Sequence, residues 1–270
     1  MKIAGSRALV TGASRGIGAD LARGLRRSGA TVALVARPSD DLFALADELG
    51  AKAYPTDLTD HDAVRRLLDL VEVDGAIDIL INNAGDEKVG RFDEMSSETL
   101  EFILSLNVHA VVELQRQAVP RMVERGRGHV VNVSSFGGVI CPPNLAVYAA
   151  TKAFITHLTV NLAAEFRDTP LGFTKVEIGE VADTGLMEKG RTDPVFTALV
   201  QRLYRLHLSR LITPAEITRA TLAAIEGGHG SVRLPRRIGA SSYLVDAPRA
   251  LSNLLARDLR RKPRTVAAAR

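Results

Sequence analysis

The chain has 270 residues, 46% hydrophobic and 24% charged, with a formal net charge of +4, enough apolar material for one large core at the usual size of an α/β domain. A single cysteine, Cys141, excludes an internal disulfide framework and a cysteine-rich zinc site, and the six histidines show no ligand-like spacing with carboxylates, so no metal is expected. The lack of tryptophan, the 4% of aromatic residues and the crowding of positive charge into residues 257–264 speak against a nucleic-acid stacking platform or groove reader.

Short apolar runs alternate along the chain with longer segments of helical period. Residues 8–11 read as a first strand, followed at once by a glycine-rich turn and a helix whose apolar positions Ile17, Leu21 and Leu25 step by four. Residues 31–36, 77–82, 129–134 and 173–178 read as further strands, with weaker candidates at 51–54 and 231–234. Phe154, Leu158, Leu162 and Phe166 mark another helix by the same four-residue step. Strands apolar on both faces and separated by helices imply a parallel sheet covered on both sides. Right-handed crossovers then give a Rossmann-like, doubly wound α/β fold with helices on both faces, in a single domain that binds ligands at the carboxyl ends of its strands.

No repeat, linker or composition shift precedes the basic tail, so one catalytic domain is expected over residues 1–256 and a tail over 257–270. The mixed, polar stretch 184–212 is expected to form a mobile cover over the site. No run reaches membrane-spanning length, and the first apolar segment is too short for a signal peptide. A cytoplasmic protein without a transmembrane segment is the expectation.

The turn after the first strand reads Thr11-Gly12-Ala13-Ser14-Arg15-Gly16-Ile17-Gly18. Glycines there let backbone N–H groups approach a pyrophosphate at a helix N-terminus, although an ordinary strand-to-helix turn looks the same in isolation. The spacing G-x-x-x-G-x-G differs from the common dinucleotide fingerprint, and no lysine follows as a P-loop needs. After the second strand, where an NAD site usually carries an acid for the ribose 2′-hydroxyl, the chain reads Ala36-Arg37. With Arg15 and Arg37 both near the expected ribose, a 2′-phosphate is attracted, so NADP(H) is favoured over NAD(H). Solvated loop charges are the plain alternative for both arginines.

Further along, Asn82-Asn83-Ala84-Gly85 ends a strand at the ligand edge, where amides can tie loops together or line a cofactor. Asn107 sits in a buried helical stripe between Ile103 and Val111, which calls for either a structural hydrogen bond or a water-holding role. Ser135 follows a strand, Tyr148 comes thirteen residues later, and Lys152 lies one helical turn beyond it on the same face. Such a pair reads equally well as an amphipathic surface pair. In a cofactor crevice, however, a lysine can stabilise the phenolate of a tyrosine and tune it for acid-base work.

Together, Thr11 to Gly18, the Asn-Asn-Ala-Gly run, Asn107, Ser135 and Tyr148-x-x-x-Lys152 resemble the short-chain dehydrogenase/reductase family in its compact, single-domain branch, over about residues 5–187. The resemblance implies an oxidoreductase that interconverts a carbonyl and an alcohol, with Tyr148 transferring the proton and Ser135 binding the substrate oxygen. It further implies that Lys152 holds the nicotinamide ribose and that Asn107 positions a relay water. Gly12, Ser14, Arg15, Gly16, Ile17, Gly18 and Leu58 are expected to bind the cofactor, and by the same resemblance Asp57 touches adenine and Asn83, Ala84 and Gly85 line the cofactor. Ser134 is the adjacent alternative to Ser135.

Two departures stand out. Ile178-Gly179 replaces the Pro-Gly of many relatives, leaving Thr184 as the nicotinamide-side contact, and the C-terminus runs into a predicted helix over 248–259 instead of the ending frequent in tetramers. A homo-oligomer is expected, dimer or tetramer. Residues 86–94, 136–147 and 185–211 select the substrate, and their Leu, Val, Phe and Met content suggests an apolar carbonyl compound. Two rival readings stand beside this one: a cofactor-binding regulator without turnover, and a membrane-surface or nucleic-acid binder working through the basic tail.

Overall fold

Alternation of side chains decides the layers. In β1 (Arg7–Thr11), Ala8 and Val10 enter one apolar cluster and Leu9 the opposite one. β2 (Thr31–Ala36) divides Val32 and Leu34 from Ala33 and Val35 in the same way. A strand buried on both faces must have helices on both sides. Each fully buried Leu, Ile or Val in these clusters contributes about 1.5–3 kcal/mol.

The computed structural model describes residues 1–140, 142–182, 193–207 and 209–235. Seven parallel strands form one sheet in the order β3-β2-β1-β4-β5-β6-β7, completed by β3 (Lys52–Pro55), β4 (Ile79–Asn82), β5 (Gly128–Ser135), β6 (Leu171–Ile178) and β7 (Ser231–Leu234). Val10 pairs with Leu34 on one side and Ile81 on the other. The doubly wound α/β expectation is met, and all seven strands read from the sequence are present. Pro55 ends the edge strand β3, where a missing N–H disturbs no inner ladder.

β4 starts two residues later than its apolar run suggests. The Ile77 N–H donates to the Glu72 carboxylate instead of a neighbouring strand, and Ile77 stays fully buried.

One face of the sheet carries α1 (Gly16–Arg27), α2 (Asp40–Leu49) and α8 (Pro214–Gly227). The other carries α3 (His61–Glu72), α5 (Ala110–Arg125) and the end of α6 (Ala146–Glu165). Helix starts follow local chemistry: Ser39 caps α2, Asp60 caps α3, and Thr213 with Glu216 forms a capping box at α8 with Pro214 in its first turn. No helix among the described residues is long and apolar enough to cross a membrane.

One sequence expectation needs correction. Phe154 does not belong to the core stripe of α6: it is 44% exposed, and the buried face is instead Tyr148, Thr151, Lys152, Ile155, Thr156 and Thr159. A mostly polar inner face means that this helix is placed by what its side chains bond, with Leu162 and Phe166 packing at its far end. Within the stretch 184–212, residues 194–205 form a helix, α7 (Pro194–Arg205), whose Leu199, Val200 and Leu203 line the crevice described below. Thr184, the predicted helix over 248–259, the domain boundary at 256 and the basic tail 257–270 lie outside the described residues.

Candidate active site

At the middle of the sheet the chain leaves β1 towards β2 and leaves β4 towards β5, in opposite directions. The strand ends therefore part and leave a crevice of about 860 Å³.

Its floor is tied by Thr11. The Thr11 hydroxyl donates to the Ile81 carbonyl at 3.2 Å and accepts from the N–H groups of Asn83 and Ala84 at 3.0 and 3.1 Å. Asn83 Nδ2 donates back to the carbonyls of Thr11 and Gly12. One layer down, Asn82 Nδ2 donates to Asn132 Oδ1 at 2.9 Å, and Asn132 donates to Gln115 and Thr159. These amides stitch β1, β4, β5, α5 and α6 into one rigid base.

The glycine turn closes against this base. Gly12 has φ +64°, and a Cβ there would lie 2.9 Å from Ala84 Cα, so only glycine fits both the turn and the gap. Gly18 is not a crevice-lining residue, contrary to the sequence expectation. It packs the helix onto the turn, where a Cβ would lie 2.1 Å from the Gly12 carbonyl oxygen. Gly18→Ala is expected to cost about 1–3 kcal/mol by overpacking and to weaken cofactor binding with it. Chemical denaturation and an NADPH titration check this, and a variant of wild-type stability would contradict the close packing.

Gly12, Ser14, Arg15, Gly16 and Ile17 line the crevice. The first turn of α1 has no side-chain cap and no acidic residue, which leaves its N–H groups to an anion. Ala36, Arg37, Asp57 and Leu58 form the far end, and Asn83, Ala84 and Gly85 the side. Asp57 Oδ1 accepts from the Thr59 N–H and hydroxyl, which fixes that loop. Among the described residues neither Arg15 nor Arg37 enters an ion pair and no carboxylate stands at position 36, although Asp41 and Asp57 line the same crevice. Both the cradle and the charge fit a phosphorylated dinucleotide.

Ser135, Tyr148 and Lys152 meet in the same crevice. Ser135 is the last residue of β5. Its Oγ accepts from the Gly137 N–H at 3.0 Å, leaving the hydroxyl hydrogen for a partner in the crevice, which Tyr148 also lines. Ser134 points the other way, bonding the Lys152 carbonyl and the Thr156 hydroxyl beneath α6. Alternation along the strand thus separates the two serines.

Tyr148 is 8% and Lys152 7% exposed. Burial pushes the Tyr148 phenol well above its usual range, the acidic side chains of Glu87 and Asp86 push it further, and the Ser135 hydroxyl opposes them. Burial pulls Lys152 down to about 8, with Glu87 opposing. Lys152 Nζ donates to the Val133 carbonyl at 3.1 Å and lies 5.6 Å from the centre of the Tyr148 ring.

Asn107 is 1% exposed but does not line the crevice. It sits in a π turn, Ser105–His109, between α4 (Ser97–Leu104) and α5. Its Oδ1 accepts from the Asp86 N–H at 3.0 Å, and its Nδ2 donates to the Asp86 carbonyl and to Thr151 Oγ1. Both amide hydrogens are therefore committed to protein, while the acceptor atoms of Asn107 keep capacity for a further donor. Thr151 in turn donates to the Tyr148 carbonyl, so Asn107 links the Asp86 loop to the helix that carries Tyr148.

The model of the short chain dehydrogenase family matches residues 6–194. The chain belongs to this family. A gluconate 5-dehydrogenase of Gluconobacter oxydans (strain 621H) is 38% identical over 201 residues, 72% of this chain and 78% of the relative. A carbonyl reductase (NADPH) 2 of Sus scrofa is 34% identical over 219 residues, 80% and 86% of the two chains. Among solved structures, a short-chain dehydrogenase from Sphingobium yanoikuyae in complex with NADPH superposes with a TM-score of 0.78 at 28% identity, covering 98% of each chain.

In this short-chain dehydrogenase several residues that shape the site went unmarked in the sequence. Thr11, Asn132 and Thr151 act through hydrogen bonds whose partners lie 17 to 73 residues away. No local periodicity announces them. Glu87 did leave a signal, an acidic pair directly after the Asn-Asn-Ala-Gly turn.

Proposed function

We propose that this chain is an NADP(H)-dependent oxidoreductase that interconverts a ketone or aldehyde and its alcohol, with Tyr148 as the proton donor and acceptor. The observation that carries this reading is the convergence of Tyr148, Ser135 and Lys152 in one crevice with the glycine turn and the two arginines. When bound, the nicotinamide supplies or accepts the hydride.

The chain's own residues do the rest. Ser135 directs its hydroxyl at the substrate oxygen, where charge grows during reduction. The Tyr148 phenol delivers its proton to that oxygen, or takes it back during oxidation. Lys152 holds positive charge beside the phenol and lowers the cost of phenolate. Arg15 and Arg37 hold the 2′-phosphate at the far end. The substrate end, lined by Phe102, Leu106, Ile140, Leu145, Leu199 and Leu203, excludes water and suits an apolar carbonyl compound.

A panel of ketones, aldehydes, secondary alcohols and gluconate, assayed with NADPH and NADP⁺ beside NADH and NAD⁺, tests the reading. Turnover of an apolar carbonyl compound with NADPH is expected. Catalysis restricted to NADH, or absent across the panel despite NADPH binding, would overturn it.

Arg37→Ala is expected to weaken NADPH binding about tenfold, the loss of one exposed charge-assisted contact, while NADH affinity stays unchanged. Fluorescence titration with both nucleotides reads the difference. Equal losses for both would remove the 2′-phosphate from the assignment.

A further inference from the structure

Directly after Gly85 the chain carries two acidic residues, and the second is buried. Glu87 is 5% exposed and lines the crevice alongside Tyr148 and Lys152. A carboxylate held in such a place needs a fixed backbone behind it, and the structure supplies one. Asn107 clamps Asp86 through both its N–H and its carbonyl, and the Asp86 carboxylate accepts from the Glu87 N–H at 2.9 Å. Gly85 lets this loop run close to α6, since a Cβ there would lie 3.3 Å from Lys152 Nζ and 3.2 Å from Asn107 Oδ1. The buried π turn thus delivers an acidic side chain to the proton-transfer centre.

We propose that Glu87 is a positioning residue of the reaction, whose carboxylate keeps Lys152 charged and Tyr148 protonated and so biases the enzyme towards carbonyl reduction. The inference rests on Tyr148 being the proton carrier. Reduction needs the phenol with its proton, and oxidation needs the phenolate. A negative charge close by disfavours phenolate and favours ammonium, whereas Lys152 alone would favour phenolate. Around this centre stand Asp86 and Glu87 from the loop after β4, Ser135 at the end of β5, Lys152 on α6 and Glu180 after β6. Glu87 acts electrostatically on both Tyr148 and Lys152, raising each.

The test is Glu87→Gln, nearly isosteric and neutral, in the full chain. In the cofactor-free protein, NMR of lysine side-chain carbons, assigned with Lys152→Arg, follows the Lys152 titration, whose wild-type midpoint is expected at about 8. The midpoint is expected to fall by about half to one pH unit in Glu87→Gln. In the holoenzyme, the alkaline loss of reduction and the rise of oxidation, each followed as kcat/KM against pH, are expected to move downward together. Glu87→Asp, which keeps the charge but withdraws it by one methylene, moves all of these in the same direction by less.

A merely structural role lowers activity at every pH and shifts nothing. Unmoved midpoints in both variants overturn the inference. If Tyr148→Phe is inactive while the Glu87 profiles stay unmoved, only the role of Glu87 falls. If Tyr148→Phe turns over normally, the assignment of Tyr148 falls and this inference with it.

Discussion

Tyr148→Phe is expected to lower turnover about a hundred- to ten-thousand-fold, the range that general acid-base groups contribute, with NADPH affinity unchanged. The reason lies in what the substitution keeps. Phenylalanine preserves the buried ring beside Lys152, so the packing of α6 and the placement of the ammonium survive. Only the hydroxyl goes, and with it the proposed proton source. Removing one buried hydroxyl costs about 1 kcal/mol of stability, too little to unfold a domain. Steady-state kinetics on an accepted carbonyl compound, beside a nucleotide titration, check the result. Normal turnover would place the proton transfer elsewhere.

Lys152→Met is expected to abolish most turnover and yet to stabilise the cofactor-free protein. Burial lowers the lysine from 10.5 to about 8. At neutral pH the amine is protonated in both the folded and the unfolded chain, so the folded state bears the whole cost of the buried charge, about 3 kcal/mol for a shift of this size. From about 8 up to 10.5 the unfolded chain holds the proton that the folded protein has released. Stability rises with pH across that window and the penalty fades.

Methionine fills a similar space without charge. The variant should therefore exceed the wild type by up to about 3 kcal/mol at neutral pH, with the gap closing as pH climbs through the window. Denaturant titrations at several pH values measure the gap. A gap that is absent at neutral pH, or that widens upward, would contradict the buried charge. The same lysine is then a stability cost retained for chemistry.

The broken pattern of α6 shows how sequence and structure divide the work here. Its inner face is mostly polar, with Tyr148, Thr151, Lys152, Thr156 and Thr159 buried where an apolar stripe would be expected. The four-residue step through Phe154 misplaced that face, because Thr151, Lys152, Thr156 and Thr159 are satisfied by partners on β5, the π turn or α6 itself. Periodicity reports apolar burial and is blind to polar burial.

The π turn at Ser105–His109 was hidden in the same way, since Ile103, Asn107 and Val111 are all buried whether or not the helix contains it. The strands, by contrast, were legible nearly to the residue. The inner strands are apolar over short runs; the start of β4 was displaced by a side-chain carboxylate that took its N–H, β6 starts two residues earlier than its apolar run at Leu171, and β3 lies one residue further on.

By itself the sequence determined the doubly wound sheet, the glycine cradle after β1, the missing acid at Ala36 and the presence of Ser135, Tyr148 and Lys152 at family spacing. These depend on local periodicity, backbone freedom and short separations, which a linear string records. Only the tertiary structure decided that Ser135 and not Ser134 faces Tyr148, that Gly18 packs instead of lining, and that Asn107 spends its amide on the Asp86 loop. It alone brought Glu87 into one crevice with Tyr148 and Lys152. Those outcomes depend on which polar groups meet after the strands are laid side by side, and hydrogen bonds between residues 18 to 72 positions apart leave no periodic trace in the chain.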